Sequence, residues 1–94
     1  MSRKFVNIFL QNAPKLVQQL VEGVENKNFD QIKISAHSLK TQLNYMGVKE
    51  EISHVYELEQ ISVYNYRHEE MVTMVKNLER VCAKAFSELE EFLQ

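Results

Sequence analysis

His37 and Lys40 are the two side chains of this 94-residue chain whose types and spacing best suit chemistry. A neutral imidazole is a good nucleophile, and histidine side chains, with an ordinary pKa near 6.5, are largely neutral at neutral pH. A lysine three residues further along a helix can bring its ammonium group close to the imidazole ring. The same ammonium group would offset the negative charge of a phosphoryl group attached to that ring.

Other candidate sites in the sequence are weaker. The segment from Glu51 to His54 has the Glu-x-x-His spacing of di-iron bundles, which need two such motifs and two further inward-facing glutamates. The motif occurs once here and His54 points away from the apolar side of its segment, so a metal-binding bundle using His54 and carboxylates stays only as an alternative. Cys82 is the single cysteine, which excludes an internal disulfide and a cysteine-based zinc site and suggests a buried, small apolar side chain.

Composition and charge narrow the class of protein. A length near 100 residues is typical of one domain, so we expect residues 1–94 to form a single unit. The formal net charge of −2 argues against a nucleic-acid binder, and the chain contains neither a GxGxxG nor a GxxxxGK[ST] phosphate-binding loop. No apolar run reaches the roughly 18 residues of a membrane span, and the start lacks the apolar stretch of a signal peptide. Together with the single cysteine, these features predict a cytoplasmic location.

Apolar residues recur at helical spacing in four segments that are separated by short breaks. In the second segment they step by three and four residues from Phe29 to Met46, with Asn28 as the expected N-cap and Gly47 as the expected left-handed C-cap. Pro14 either kinks the first helix or begins its second half. Four amphipathic helices with short connections predict an all-α, antiparallel four-helix bundle. The expected helices cover residues 3–25, 28–46, 48–63 and 67–93.

The second helix has an outer face opposite its apolar stripe. At 100° per residue, His37 lies about 130° and Thr41 about 170° from the centre of that stripe near Leu43, and Lys40 lies on the flank. Exposed side chains around an imidazole and a cation could form a docking surface for a partner. We expect this surface to consist of Ile34, Ser38, Thr41, Asn44 and Tyr45. In the third helix, Glu59 falls on the apolar side, and the sequence leaves open whether it is buried and paired or lies at the rim.

The stretch from residue 36 to residue 47, AHSLKTQLNYMG, resembles the signature of histidine-containing phosphotransfer (HPt) domains, written HxLKGxxxxxG. His37, Leu39, Lys40 and Gly47 match the signature. The resemblance covers nearly the whole chain, because the order of four helices is similar as well. Further family-like features are the pairs Phe29-Asp30 and Leu58-Glu59 and residues 9–14.

The resemblance implies a function in a phosphorelay. His37 would be the phosphoacceptor, taking a phosphoryl group from the aspartyl phosphate of a receiver domain and passing it to an aspartate of another receiver, while Lys40 stabilises the phosphoryl charge. The partners would be receiver domains and hybrid sensor histidine kinases, and the receiver would carry the Mg²⁺ and most catalytic groups. The chain itself would be a cofactor-free phosphocarrier rather than an enzyme. It would be a monomer, because one bundle uses all four apolar stripes.

Thr41 departs from the HPt signature, which has glycine at this position. A glycine beside the histidine lets a partner approach closely, whereas threonine adds a β-branched side chain there. The alternative function is therefore an adaptor that is not phosphorylated and binds receiver domains through the same helix face. Met1 at the start favours a free-standing domain over one cut from a larger hybrid kinase.

Overall fold

The computed structural model of the protein describes residues 2–48 and 52–94. These residues form four helices, numbered here in chain order. The helices are α1 (Arg3–Glu25), α2 (Phe29–Tyr45), α3 (Ile52–Glu59) and α4 (His68–Leu93). α1 packs against α2 and α4, α2 packs against α3, and α3 touches α4 only slightly. The predicted all-α bundle is confirmed. None of the described helices is long and apolar enough to cross a membrane.

α1 runs opposite to both helices that pack against it. The ring of Phe5, near the start of α1, lies 5.0 Å from the ring of Tyr45, the last residue of α2. The guanidinium group of Arg3, the first residue of α1, donates a hydrogen bond to the carbonyl oxygen of Leu93 at the end of α4. The start of α1 therefore meets the ends of both helices that pack against it, as an antiparallel bundle requires.

Both ends of α2 are closed by the residues expected there. The side-chain oxygen of Asn28 accepts a hydrogen bond from the N–H of Gln31 at 3.1 Å, which satisfies a donor of the first turn. Gly47 adopts a φ of 76°, and the N–H of Val48 donates to the carbonyl of Leu43 at 3.0 Å. This arrangement is a Schellman motif, in which the residue with the left-handed backbone conformation is usually glycine. The two caps define where α2 begins and ends.

The core is built from the apolar stripe of each helix. α2 contributes Ile32, Ala36, Leu39 and Leu43, all of them buried. α1 and α2 approach closely at Gly23, where a Cβ would lie 2.9 Å from Cγ1 of Ile32. Carbon atoms in contact are usually separated by about 3.5–4.0 Å, so only glycine fits at this point. The other buried apolar residues are Val6, Phe9, Ala13, Val17, Leu20, Val24, Val55, Leu58, Ile61, Met71, Val75, Leu78 and Cys82.

The predicted spans of α1, α2 and α4 agree with the structure to within one residue, and α1 continues through Pro14 as one helix. α3 is shorter than predicted. It ends at Glu59, four residues before the predicted end, and its predicted first residue, Val48, lies outside the helices. Residues 49–51, which also belong to the predicted span, lie outside the described residues.

The early end of α3 has a local cause in the side chain of Asn65. Its oxygen accepts a hydrogen bond from the backbone N–H of Ser62 at 2.7 Å, and its nitrogen donates to the backbone carbonyl of Gln60 at 3.0 Å. Asparagine side chains that bond to the nearby backbone in this way favour turns over further helical residues. The chain therefore leaves α3 at the level of Glu59, which places this glutamate at the end of the helix.

Candidate functional site

The outer face of α2 carries the side chains that its helical geometry predicts. The side chain of His37 is 65% exposed, and Ile34 and Tyr45 are each 69% exposed. Leu39 and Leu43 on the opposite face are buried. The remaining members of the expected docking surface are Thr41 and Asn44, which are exposed, and Ser38, which is half-buried. Four of the five expected surface residues are therefore exposed on the helix that carries the imidazole, and Ser38 is exposed only in part.

His37 is held by a carboxylate from a different helix. Its Nδ1 lies 2.6 Å from Oε1 of Glu59, at the end of α3. An ionised carboxylate only accepts hydrogen bonds, so Nδ1 must carry the hydrogen of this contact. In a neutral ring the other nitrogen, Nε2, then keeps its lone pair. The contact selects the tautomer in which Nε2 is the nucleophile.

Lys40 binds the same carboxylate from the opposite side. Its Nζ lies 2.5 Å from Oε2 of Glu59, and it also lies 5.0 Å from the centre of the Tyr56 ring. The hydrogen bond from Lys40 is the main reason, and that from His37 the second, why the pKa of Glu59 is lowered below its usual value of 4.5. The side chain of Glu59 is 17% exposed. It is therefore an ionised, mostly covered carboxylate that joins the two predicted functional residues.

Glu59 is the site residue to which the sequence assigned no role, although its position on the apolar side left open whether it is buried and paired; the structure shows it mostly covered and paired. The spacing predicts that Lys40 lies near the imidazole, and the structure instead places Glu59 between the two groups. Two signals existed: a carboxylate on the apolar side of its helix, and the family-like pair Leu58-Glu59. Neither indicates which residue of α2 the carboxylate faces, because this depends on how α2 and α3 are aligned.

Thr41 is tied to the backbone beside the histidine. Its hydroxyl donates a hydrogen bond to the carbonyl oxygen of His37 at 3.1 Å, one turn earlier in α2. A threonine that bonds in this way has a restricted χ1, so its methyl group has a defined direction. The departure from the glycine of the HPt signature is thus an ordered side chain on the exposed face.

Depressions beside His37 and beside Thr41 adjoin this face. One, of about 440 Å³, opens beside the imidazole between α2 and the end of α3, and it is lined by Lys33, Ile34, His37, Ser38, Glu59 and Gln60. The other, of about 250 Å³, lies between the start of α1 and the end of α2 and includes Phe5, Ile8, Thr41 and Tyr45. A partner placed over His37 would meet polar and charged groups on one side and mostly apolar groups on the other.

The alternative metal site gains no support from the described residues. His54 is half-buried, and Glu51, the other member of the Glu-x-x-His motif, lies outside the described residues. Within residues 2–48 and 52–94, no group of three or more histidine, cysteine, aspartate or glutamate side chains is arranged to hold a metal ion.

Comparison with known protein families gives one match. A model of the Hpt domain matches residues 4–94, nearly the whole chain. No curated protein and no solved structure matches the chain significantly. Domains of this family are phosphocarrier modules that interact with receiver domains in phosphorelays. With its bundle, its exposed imidazole and this match, the chain belongs to the Hpt domain family and takes part in histidine phosphotransfer in two-component signalling.

Proposed function

We propose that the protein carries a phosphoryl group on His37 between the aspartates of two receiver domains. The observation that carries this proposal is the contact between Nδ1 of His37 and Oε1 of Glu59, 2.6 Å apart, on a ring that is 65% exposed. The ring is oriented from within the protein, while most of its surface is exposed to solvent. A phosphorylated partner can therefore approach the ring from the solvent side.

The transfer needs one bond to form and one to break. The lone pair of Nε2 attacks the phosphorus of an aspartyl phosphate in line, and the phosphorus–oxygen bond breaks with its electron pair going to the aspartate carboxylate. The ring then carries hydrogen on Nδ1 and the phosphoryl group on Nε2, and it gains positive charge. In the second transfer an aspartate of another receiver attacks the phosphorus, and the neutral imidazole is restored.

Glu59 and Lys40 act on this charge. The carboxylate of Glu59 accepts the Nδ1 hydrogen bond throughout and offsets the positive charge that the ring gains on phosphorylation. Lys40 keeps Glu59 ionised and in place through its 2.5 Å contact, and its ammonium group offsets part of the phosphoryl charge. We assign Glu59 as a positioning residue and Lys40 as the charge-stabilising residue.

The chemistry is divided between two proteins in this proposal. The receiver domain contributes the aspartate, the Mg²⁺ that neutralises phosphoryl oxygens, and most catalytic groups, and the present chain contributes the nucleophile and its orientation. The docking surface is the outer face of α2 with Ile34, Ser38, Thr41, Asn44 and Tyr45. The partners are receiver domains, including those within hybrid sensor kinases, and the protein works as a cofactor-free carrier.

A labelling experiment tests the proposal. A receiver domain from the same organism is charged with radiolabelled acetyl phosphate and mixed with the wild-type protein, which should acquire an acid-labile label. His37→Gln should acquire none while its circular dichroism spectrum stays that of a folded helical bundle, and His54→Gln should be labelled like the wild type. Equal label on His37→Gln and the wild type would show that another residue is the acceptor.

An adaptor function is the second candidate, and the ordered side chain of Thr41 beside His37 is the observation that favours it. An adaptor would bind receiver domains through the same face without accepting a phosphoryl group. In that case the wild-type protein binds a phosphorylated receiver but stays unlabelled. The His37→Gln variant binds the same receiver with the same affinity. The labelling experiment above separates the two functions.

A further inference from the structure

The turn between α3 and α4 exposes two adjacent apolar side chains. Val63 is 67% exposed and Tyr64 is 90% exposed. The residues that flank this pair are anchored: Ile61 is buried in the core, and the hydroxyl of Tyr66 donates to the carbonyl of Val24 in α1 at 3.1 Å. The fold therefore buries the two ends of the turn and leaves its apolar tip in water.

The tip is held in one shape by hydrogen bonds. The oxygen of the Asn65 side chain accepts from the N–H of Ser62 at 2.7 Å, and its nitrogen donates to the carbonyl of Gln60 at 3.0 Å. The hydroxyl of Ser62 in turn accepts from the N–H of Tyr64 at 3.3 Å. A turn closed in this way has lost most of its backbone freedom before any partner arrives, so that binding costs less entropy.

The turn begins at the depression beside the phosphoacceptor. Gln60, whose carbonyl anchors the turn, lines the same depression as His37 and Ile34. Glu59 contacts the imidazole, and the four residue-to-residue steps from Glu59 to Val63 span at most about 14 Å. A partner interface of ordinary size covers about 800 Å² on each protein, which corresponds to a disc with a radius of about 16 Å. A partner that covers His37 and the neighbouring Gln60 therefore has the turn within the width of one ordinary interface.

The composition of the turn indicates the kind of contact. Residues 60–65 carry no charged side chain, although 26% of the whole chain is charged. Around His37, by contrast, lie the charged groups of Lys33, Lys40 and Glu59. Tyrosine is enriched where proteins bind one another, because its ring gives a large contact at low entropic cost. The turn thus offers an apolar contact beside a charged reaction centre.

We propose that the Val63–Tyr64 turn is a second docking contact for the receiver domain that exchanges phosphoryl groups with His37. The proposal rests on the phosphocarrier function above. An apolar patch beside the phosphorylated aspartate of the receiver seats on Val63 and Tyr64, while the chemistry takes place at Nε2 of His37. The turn contributes binding energy and takes no part in the transfer step.

The test separates docking from chemistry with the double variant Val63→Ser, Tyr64→Ser. His37 is labelled with phosphoramidate, a small donor that needs no docking, and label transfer is followed against increasing concentrations of one receiver. The receiver is chosen from the same genome. It is the one to which the labelled wild-type protein transfers its phosphoryl group fastest. We expect the half-saturating receiver concentration to rise about tenfold, the usual effect of removing an interface anchor. Phosphoramidate labelling and the maximal transfer rate should stay unchanged.

Phe92→Ser is the matched control, because Phe92 is also an exposed aromatic residue but lies near the end of α4. It should leave the half-saturating concentration unchanged. An unaltered value in the double variant, or a loss of maximal rate alone, would overturn the docking role. So would sedimentation showing a wild-type dimer that the double variant dissociates without a change in transfer. If the wild-type protein takes no label from phosphoramidate, the phosphocarrier function is overturned instead. The docking role of the Val63–Tyr64 turn, which rests on that function, is then overturned as well.

Discussion

Oε1 of Glu59 lies 2.6 Å from Nδ1 of His37, although 22 residues and a helix–helix connection separate the two along the chain. The contact turns an exposed surface histidine into an oriented one. Because the carboxylate also binds Lys40, that residue helps to keep it ionised and in place. The pair resembles the carboxylate–histidine arrangement of hydrolases, in which the acid selects the tautomer and the imidazole does the chemistry.

Glu59→Gln should slow phosphoryl acceptance by at least about tenfold, because the amide lacks the charge that favours hydrogen on Nδ1 and stabilises the phosphorylated ring. The ¹⁵N chemical shifts of the His37 ring should show a larger share of the Nε2–H tautomer. Glu57→Gln, a change of an exposed glutamate two residues earlier, serves as the control. Equal rates in both variants would remove Glu59 from the mechanism.

Lys40→Ala should cost about 1–2 kcal/mol in phosphoryl transfer or retention, the size of a charge-assisted contact in a partly exposed site. This corresponds to roughly a tenfold change in the transfer rate or in the lifetime of the phosphohistidine. Both are measured on labelled protein with and without a receiver. Lys76→Ala, in the exposed part of α4, should behave as the wild type. An unchanged rate and lifetime for Lys40→Ala would assign that residue a structural role only.

Acidification should remove the stabilising effect of the Glu59 contacts. The pKa of Glu59 in the folded protein is lowered by Lys40 and His37 from its usual 4.5, so folding is favoured by these contacts above that value. The contribution is lost as the pH falls through the lowered pKa. Urea unfolding of the wild type and Glu59→Gln between about pH 5.5 and 3 should therefore show a stability difference that shrinks at the acidic end. A difference that stays constant over this range would contradict the lowered pKa.

Leu39→Ala and Leu43→Ala should each lower the free energy of unfolding by about 2–5 kcal/mol, because both side chains are buried in the core. Ile34→Ala, on the exposed face of the same helix, should change it by less than about 0.5 kcal/mol. Chemical unfolding monitored by circular dichroism measures all three. If Ile34→Ala and Leu39→Ala lowered the free energy of unfolding by similar amounts, the exposed and buried faces of α2 would not be distinct.

Thr41→Gly should widen the range of receivers that exchange phosphoryl groups with the protein, because it removes an ordered β-branched side chain next to His37. The variant should also be less stable by roughly 0.5 kcal/mol, since glycine has a lower helix propensity than threonine. Transfer from the labelled protein to a panel of receivers from the same organism measures the range. An identical pattern for wild type and variant would show that Thr41 does not select partners.

The outer face of α2 could be read from the sequence because it depends on local geometry. Steps of three and four residues from Phe29 to Met46 specify the rotation of the helix, and Asn28 and Gly47 specify its ends. The exposure of His37 and the burial of Leu39 follow from these features alone. The end of α3 was predicted four residues too late, because the bonds of Asn65 to its own backbone outweigh an apolar pattern that continues past Glu59.

The sequence by itself determined that the chain forms four amphipathic helices. It also determined which side of α2 is exposed to water and that His37 lies on that side. Each of these features follows from the spacing of apolar residues within a segment of about twenty residues. Only the tertiary structure decided that Glu59 faces His37 and Lys40, and that Val63 and Tyr64 are exposed in the turn that follows α3. Those positions depend on how α3 is aligned along α2 and on where α3 stops. Such alignment results from packing between distant segments, which no local pattern of residues encodes.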